Sequence, residues 1–434
     1  APARSNIVAA NADWMSLDSA DAIRLSLRSC DCETVDGACK TKESDNITFK
    51  RMEGVLPAMD ASFLDVKAGK VSLEEFVASL EDEVLLRLVT GAANETTYQP
   101  KPRISKKLKA PKAPSSSGST TGLFLNSLGI PKWLLTDGPA GLHLPGCGAT
   151  CYPVGMVIAQ TWDDDLAALM GRGVGKELAA YHYHVILGPG MNIHRDPLCG
   201  RNFEYYSEDP LLSGKMAAAT TRGVQATPGT AVSLKHFACN NQETNRLSQN
   251  STVSERALRE IYLRNFEIAV RESQPWTIMT SYNYLNGRYT SEDRGLLTDV
   301  LRGEFGFEGA IVTDWGGGLD PVAQVAAGND MIQPGEPQQY ERIVAAVRNG
   351  SLAESDLDAC VRRILQLIVK TPSFQGYKHS NAPDLKAHAK VTREVASEGF
   401  VLLKNEGEAL PMAENARVAL FGVGSYDFIA GGRG

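Results

Sequence analysis

From about residue 130 the chain alternates short apolar runs with longer stretches of helical period. The apolar runs are "KWLLTD", "HVILGPGMNI", "TAVSLKHFA", "WTIMTSYN", "GAIVTDW" and "NDMIQP". Between them lie "DDDLAALMGRGVGKELAAY", "LLSGKMAAATTRGVQA", "SERALREIYLRNFEIAVRE", "RGLLTDVLRGEFG" and "LDPVAQVAAG". The runs are near-continuously apolar, as strands buried on both faces are, and the intervening stretches repeat every three to four residues. This alternation predicts a parallel sheet with right-handed crossovers. A (β/α) barrel and an open doubly wound sheet both satisfy it.

The preceding segments are less regular. Residues 1–60 show no clear period and read as a prefix or the remnant of another domain. Ser72 is a candidate N-cap for one amphipathic helix over "LEEFVASLEDEVLLRLV", residues 73–89. Residues 95–121 read as a flexible loop, basic and proline-bearing in "KPRISKKLKAPKAP" and Ser/Gly-rich in "SSSGSTTG". The basic run is expected to be a solvated loop rather than a polyanion contact.

Composition narrows the function classes. The chain has 434 residues, 43% of them hydrophobic, and a net charge of −7. That is an ordinary globular balance without the basic face that nucleic acid requires. No apolar run is long enough to span a bilayer, so no membrane partner is expected. No signal pattern opens the chain, which leans the location toward the cytoplasm over secretion, although "APARSNIVAAN" also suits a processed mature end. Of eight cysteines, Cys30, Cys32 and Cys39 cluster without a fourth ligand and are expected to be free thiols rather than a zinc site or a bridge. Cys147 and Cys151 are near enough in sequence to be bridged, and Cys199, Cys239 and Cys360 suit buried sites.

The strand ends carry the chemistry. "WLLTD" delivers Asp137, "VSLKH" delivers Lys235 and His236, "IMTSY" delivers Tyr282, and "AIVTDW" delivers Asp314 and Trp315. All sit at or just past a carboxyl end, the face on which a β/α barrel gathers its active site. A doubly wound sheet would carry a glycine-rich phosphate loop after a strand, and none is found. "GRGVGKE" lies inside a helical stretch. A barrel is therefore expected. Carboxylates, a lysine, a histidine, a tyrosine and a tryptophan suit a neutral polyhydroxylated ring, with the indole as an apolar platform. His182 and His184 find no third ligand, so no metal or other cofactor is expected.

Three stretches, "GPGMNIHRDPLCGRNFEYYSEDPLLSGKMA", "KHFACNNQETNR" and "IVTDW", resemble the barrel of the family 3 glycoside hydrolases, in particular the β-glucosidase branch. The likeness covers roughly residues 60–370. "REVASEGFVLLKNEGEALPM" and "VALFGVGSYDFIAGG" resemble the opening of that family's α/β sandwich domain. The resemblance implies a TIM-like (β/α) barrel over 61–370, a linker over 371–386, and the start of a sandwich over 387–434. It implies Asp314 as nucleophile of a retaining hydrolase that removes β-linked glucose from the nonreducing end of a glycoside or oligosaccharide. Asp137, Arg201, Lys235 and His236 would hold the sugar hydroxyls, with Tyr282 beside the nucleophile and Trp315 after it. Arg201 and Lys235 are expected to keep the Asp314 pKa low.

The acid/base is a departure. Glu204 and Glu243 read as scaffold, and the family's β-glucosidases take this group from the sandwich. The "KHFPGHG"-like motif of the N-acetylglucosaminidase branch is replaced here by "KHFACNNQE". The chain stops at "AGGRG", so the rest of the sandwich, or a partner chain, is expected to supply the group. Residues 387–434 are expected to be ordered only against such further chain, and a homo-oligomer is compatible with this. β-Xylosidase is the enzymatic alternative, and a non-catalytic sugar-binding protein is the alternative of another class.

Overall fold

The computed structural model describes residues 60–91, 100–109, 116–376 and 378–427, plus the backbone of a two-residue ribbon pairing Thr34–Val35 with Ala38–Cys39. Cys30 and Cys32 lie outside the described residues. A six-stranded sheet forms the centre. Its strands are β1 (Gly118–Ser119), β2 (Leu134–Asp137), β3 (Val185–Leu187), β4 (Ala231–Phe237), β5 (Thr277–Thr280) and β6 (Ala310–Val312), side by side in chain order. All neighbours are parallel except β1, which runs antiparallel to β2. The run "NDMIQP" makes only a bridge, Val312 to Met331, beyond β6.

Strand side chains alternate between two cores. Ile186, Val232, Leu234, Ile278 and Ile311 enter one, while Val185, Leu187, Ala231, Met279, Ala310 and Val312 enter the other. Burial on both faces is why these strands read as unbroken apolar runs rather than alternating ones.

Helices α1 (Leu73–Ala78) and α2 (Asp82–Val89) replace the single helix expected over 73–89. Ser72 caps α1 as expected, accepting from the Glu75 N–H. The break follows from the basic loop. Arg103 donates to the Ser79 carbonyl at 2.6 Å, taking an acceptor that a continuous helix would have used itself, and to the Ser79 hydroxyl at 2.8 Å. The expected flexible loop also ends early. Gly118 and Ser119 pair with Leu135 and Leu134, and Ser119, Thr120 and Thr121 are buried.

Helix α3 (Asp164–Tyr181) packs on α4 (Pro210–Gln225). Both start at aspartate caps, Asp163 and Asp209. The "GRGVGKE" glycines lie within α3; Gly171 and Gly175 permit its contact with α4, and Gly173 lies against the Tyr152 hydroxyl. A Cβ on Gly171 would stand 2.4 Å from the Thr220 carbonyl oxygen, and one on Gly175 would stand 2.5 Å from that of Val224. Helix α5 (Arg264–Ser273) follows a π-helical turn at Leu258–Tyr262, so the expected helix over 254–272 is interrupted. Residues Gly295–Glu304 are π-helical, and α6 (Pro321–Ala327) runs from the Asp320 cap to Gly328. Helix α7 (Glu354–Lys370) lies against α1 and α2.

Helix α8 (Leu385–Gly399) crosses the expected boundary at 387 and packs on α3. Its His388 Nδ1 lies 2.6 Å from Glu177 of α3, and both residues are buried. Residues 400–427 are exposed throughout and include Leu403 and Phe421. No helix among the described residues is long and apolar enough to cross a membrane.

Candidate active site

The carboxyl ends of the parallel strands open into one cavity of about 600 Å³. Asp137 closes β2, and Lys235 and His236 sit near the end of β4. Tyr282 follows β5, and Asp314 and Trp315 follow β6. Arg201 precedes a short 3-10 turn, Asn202–Glu204, in the loop after β3. All seven residues expected from the sequence line this cavity. Ser117, Phe203, Glu204, Glu243, Met279 and Arg246 line it as well.

Asp314 is almost enclosed. One carboxylate oxygen accepts the Trp315 N–H at 2.8 Å. The other, Oδ2, is buried without a hydrogen-bond partner among the described residues and lies 3.4 Å from His236 Nε2. Burial raises the Asp314 pKa above the ordinary aspartate value. The charges of Arg201 and Lys235, the Trp315 N–H and Tyr282 pull the other way without overcoming it. This corrects the expectation of a low pKa: the two cations are present, but desolvation outweighs them. The same burial, reinforced by the Asp314 charge, raises the Tyr282 phenol and keeps it protonated.

His236 is neutral. It is fully enclosed, and burial together with the nearby Arg201, Lys235 and Arg246 charges drives its pKa far below the usual imidazole value. Its backbone is bracketed by Asn192, whose amide group accepts its N–H and donates to its carbonyl, each at 2.8 Å. Its Nδ1 lies 3.0 Å from the Tyr205 hydroxyl. An uncharged ring held from both sides can present Nε2 to a ligand without repelling a cation.

The cations have a shared anchor. Glu204 pairs with Arg201, and its Oε2 lies 3.3 Å from Lys235 Nζ. Burial works to raise the Glu204 pKa, but the Lys235 and Arg201 charges outweigh it and hold the carboxyl below the ordinary glutamate value. On the far wall Arg246 pairs with Glu243 at 2.6 Å and stacks on the Tyr282 ring, 4.6 Å from its centroid.

Trp315 is set by close approach. Its indole N–H donates to the Ser117 carbonyl at 3.2 Å. A Cβ on Gly118 would stand 2.5 Å from the indole ring, so only glycine leaves the ring this position. Past Trp315 the chain turns through Gly316 and Gly318, at φ of +73° and +86°. The Gly-Gly-Gly run thus takes the backbone away from the strand end through a conformation that side chains disfavour.

Sequence reasoning missed Ser117, which lay in the tract read as flexible, and the partnering of Glu204 and Arg246 within the cavity. The spacing of "RNFE" and "ETNR" was visible, but nothing in it says that both pairs face the same space. His182 and His184 do not form a ligand pair. His182 ends α3, and both rings share the Ser373 hydroxyl, at 2.8 and 3.0 Å. No group of three or more potential metal-ligating residues occurs among the described residues. Cys147 and Cys151 are free thiols, half-buried and exposed, rather than a bridge, while Cys199, Cys239 and Cys360 are buried.

Residues 119–367 match the glycosyl hydrolase family 3 N-terminal domain. The chain belongs to glycosyl hydrolase family 3. It is 43% identical over 307 residues to thermostable β-glucosidase B of Acetivibrio thermocellus, a match covering 68% of this chain and 40% of that protein. It is 39% identical over 336 residues to an exo-α-(1→6)-L-arabinopyranosidase of Bifidobacterium longum, covering 74% of this chain and 43% of that protein. Among solved structures, β-glucosidase 3B of Thermotoga neapolitana in complex with α-D-glucose superposes with a TM-score of 0.76 at 45% identity. That match covers 84% of this chain and 52% of the other. The family 3 chain described here therefore spans about half the length of these relatives, or somewhat less.

Proposed function

We propose that this chain is the barrel portion of a retaining β-glucosidase that removes β-linked glucose from the nonreducing end of glycosides or oligosaccharides. The observation that carries the reading is Asp314 Oδ2, buried at a strand end without a hydrogen-bond partner among the described residues, in a cavity lined by sugar-binding residue types. Oδ2 attacks the anomeric carbon, and the C1–O bond to the aglycone breaks as a proton reaches the leaving oxygen. Water then cleaves the glycosyl–Asp314 ester with retention. Asp137, Arg201, Lys235 and His236 hold hydroxyls, Tyr282 flanks the nucleophile, and Trp315 stacks on the ring. The parallel strands with their crossover helices are read as the corresponding part of a TIM-like barrel.

The acid/base is assigned outside the cavity. Glu204 is held ionised between two cations and is a poor proton donor, and Glu243 is engaged by Arg246. The apolar side chains exposed between Phe400 and Tyr426 support reading this stretch as the opening of a second domain that contributes that group.

The test is trapping of the full-length enzyme with a 2-fluoro-β-glucoside. A single labelled peptide containing "IVTDW" is expected, and a label on Glu204, Glu243 or any other carboxylate overturns the assignment. Turnover of aryl β-glucoside, β-xyloside and α-L-arabinopyranoside, measured in parallel, separates the sugar specificities. The arabinopyranoside is included because one relative is named for it.

A further inference from the structure

Glu204 stands apart from the residues that meet the sugar in this reading, yet it is among the most buried charges in the cavity. Its side chain is 1% exposed, it pairs with Arg201 on its own turn, and it lies 3.3 Å from Lys235 on β4. The charges of both cations also act on Asp314. A buried cation without a partner is costly, and a buried cation with one partner orients toward it. Glu204 therefore decides how much of the Arg201 and Lys235 charge is left for Asp314.

We propose that Glu204 is a positioning residue: it ties Arg201, on the loop after β3, to Lys235 on β4, aims both toward the sugar, and withholds part of their charge from Asp314. The nucleophile is thereby kept from being over-stabilised as an anion, which would blunt its attack. The assignment rests on the retaining-glycosidase reading for its consequence in catalysis, but its electrostatic part stands without it. Asp314 faces Arg201 and Glu204 from the loop after β3, Lys235 and His236 from β4, and Glu243 and Arg246 from the next loop. It also faces Tyr282 from the end of β5 and Asp137 from β2. Of the acidic groups in that set, Glu204 is the one in contact with both flanking cations.

The experiment is Glu204→Gln in the full-length enzyme, read in two ways. The first is the titration of Asp314 itself, followed by NMR in protein carrying ¹³C-labelled aspartate carboxyls and assigned with Asp314→Asn. With Glu204 neutral, more of the charge of the two cations acts on Asp314, and its midpoint should fall by about one pH unit. The second is the pH profile of aryl β-glucoside hydrolysis. The acid limb should move down with the NMR midpoint, and KM should rise by about tenfold as the two donors lose their common anchor. A residue that merely fills space would lower Tm and leave both midpoints in place. Unmoved midpoints in a folded Glu204→Gln overturn the proposal.

If Glu204→Gln does not fold, Lys235→Met tests the same balance from the other side. It leaves two carboxylates to one cation, so the Asp314 midpoint should rise, and no rise overturns the proposal. A wild-type enzyme inactive on every glycoside tried would refute the functional reading alone, because the NMR titration needs no substrate.

Discussion

At the scale of single residues, burial and the same two cations decide opposite outcomes: charge outweighs burial at Glu204, and burial outweighs charge at Asp314. Asp314 has two cations nearby, yet its burial raises its pKa above the ordinary aspartate value. Asp314→Asn keeps the side-chain shape but removes the charge and the ester-forming oxygen. Turnover should fall by roughly three decades or more, with glucose binding largely retained, checked by single-turnover kinetics and calorimetry. Gly118 tests the aromatic platform. Gly118→Ala places a Cβ 2.5 Å from the Trp315 ring and must displace it. Sugar affinity should weaken by about tenfold, or about 1.4 kcal/mol, seen as a KM rise and a changed Trp fluorescence response to glucose. Asp314, Trp315, Lys235 and His236 were legible because strand ends are visible in sequence. Ser117 was not, since its place in the cavity comes from an antiparallel pairing that its Ser/Gly-rich surroundings conceal.

At the scale of elements, packing overrides local preference in two places. Alanine is a better helix former than glycine, so Gly171→Ala in an isolated helix would stabilise by roughly 0.5–1 kcal/mol. Here the added Cβ meets the Thr220 carbonyl oxygen at 2.4 Å, with Gly223 of α4 making the reciprocal approach to Ala168. Gly171→Ala should therefore destabilise by about 1–3 kcal/mol, measured by urea unfolding. The second place is the break between α1 and α2. The apolar period runs unbroken through residues 73–89, yet Arg103 takes the Ser79 carbonyl and hydroxyl and ends α1 there. Arg103→Ala should cost about 1–2 kcal/mol by taking the donor from the Ser79 carbonyl, while the Ser79 hydroxyl keeps its bond to the Phe76 carbonyl. No periodicity argument sees this, because the partner lies 24 residues further along the chain.

At the scale of the molecule, buried histidines set the response to acid. Burial, with the neighbouring imidazole, pushes His184 down to about 3 and, with His379, pushes His182 down to about 4. Both are neutral when folded and free to take a proton when unfolded. Their contribution to stability is present above the unfolded value near 6.5 and is lost as pH falls toward the folded values. Each group gives at most about 1.4 kcal/mol per pH unit in that window. The urea midpoint should drop between pH 6 and 4, at roughly that slope per group, and a His182→Asn/His184→Asn double variant should show a shallower slope. The tail behaves differently. Nothing between Phe400 and Asp427 is buried, whereas Val395 and His388 of α8 are. Deleting residues 400–434 should leave Tm within about 2 °C of its starting value, while Val395→Asp should lower it by several degrees.

The sequence by itself determined the alternation of parallel strands and helices from Leu134 to Val312, the cap at Ser72, and the residues delivered to the strand ends. These follow from short-range rules: an unbroken apolar run or a period of 3.6, a capping side chain, a polar residue after an apolar run. The tertiary structure alone decided what those residues do to one another. Which face of α3 needs glycine, where α1 stops, that Glu204 reaches from its loop to Lys235 on β4, and that burial beats two cations at Asp314 all depend on groups far apart in sequence. Close packing and the burial of charges have no signature in a local pattern, because they are properties of the space between elements rather than of any one element.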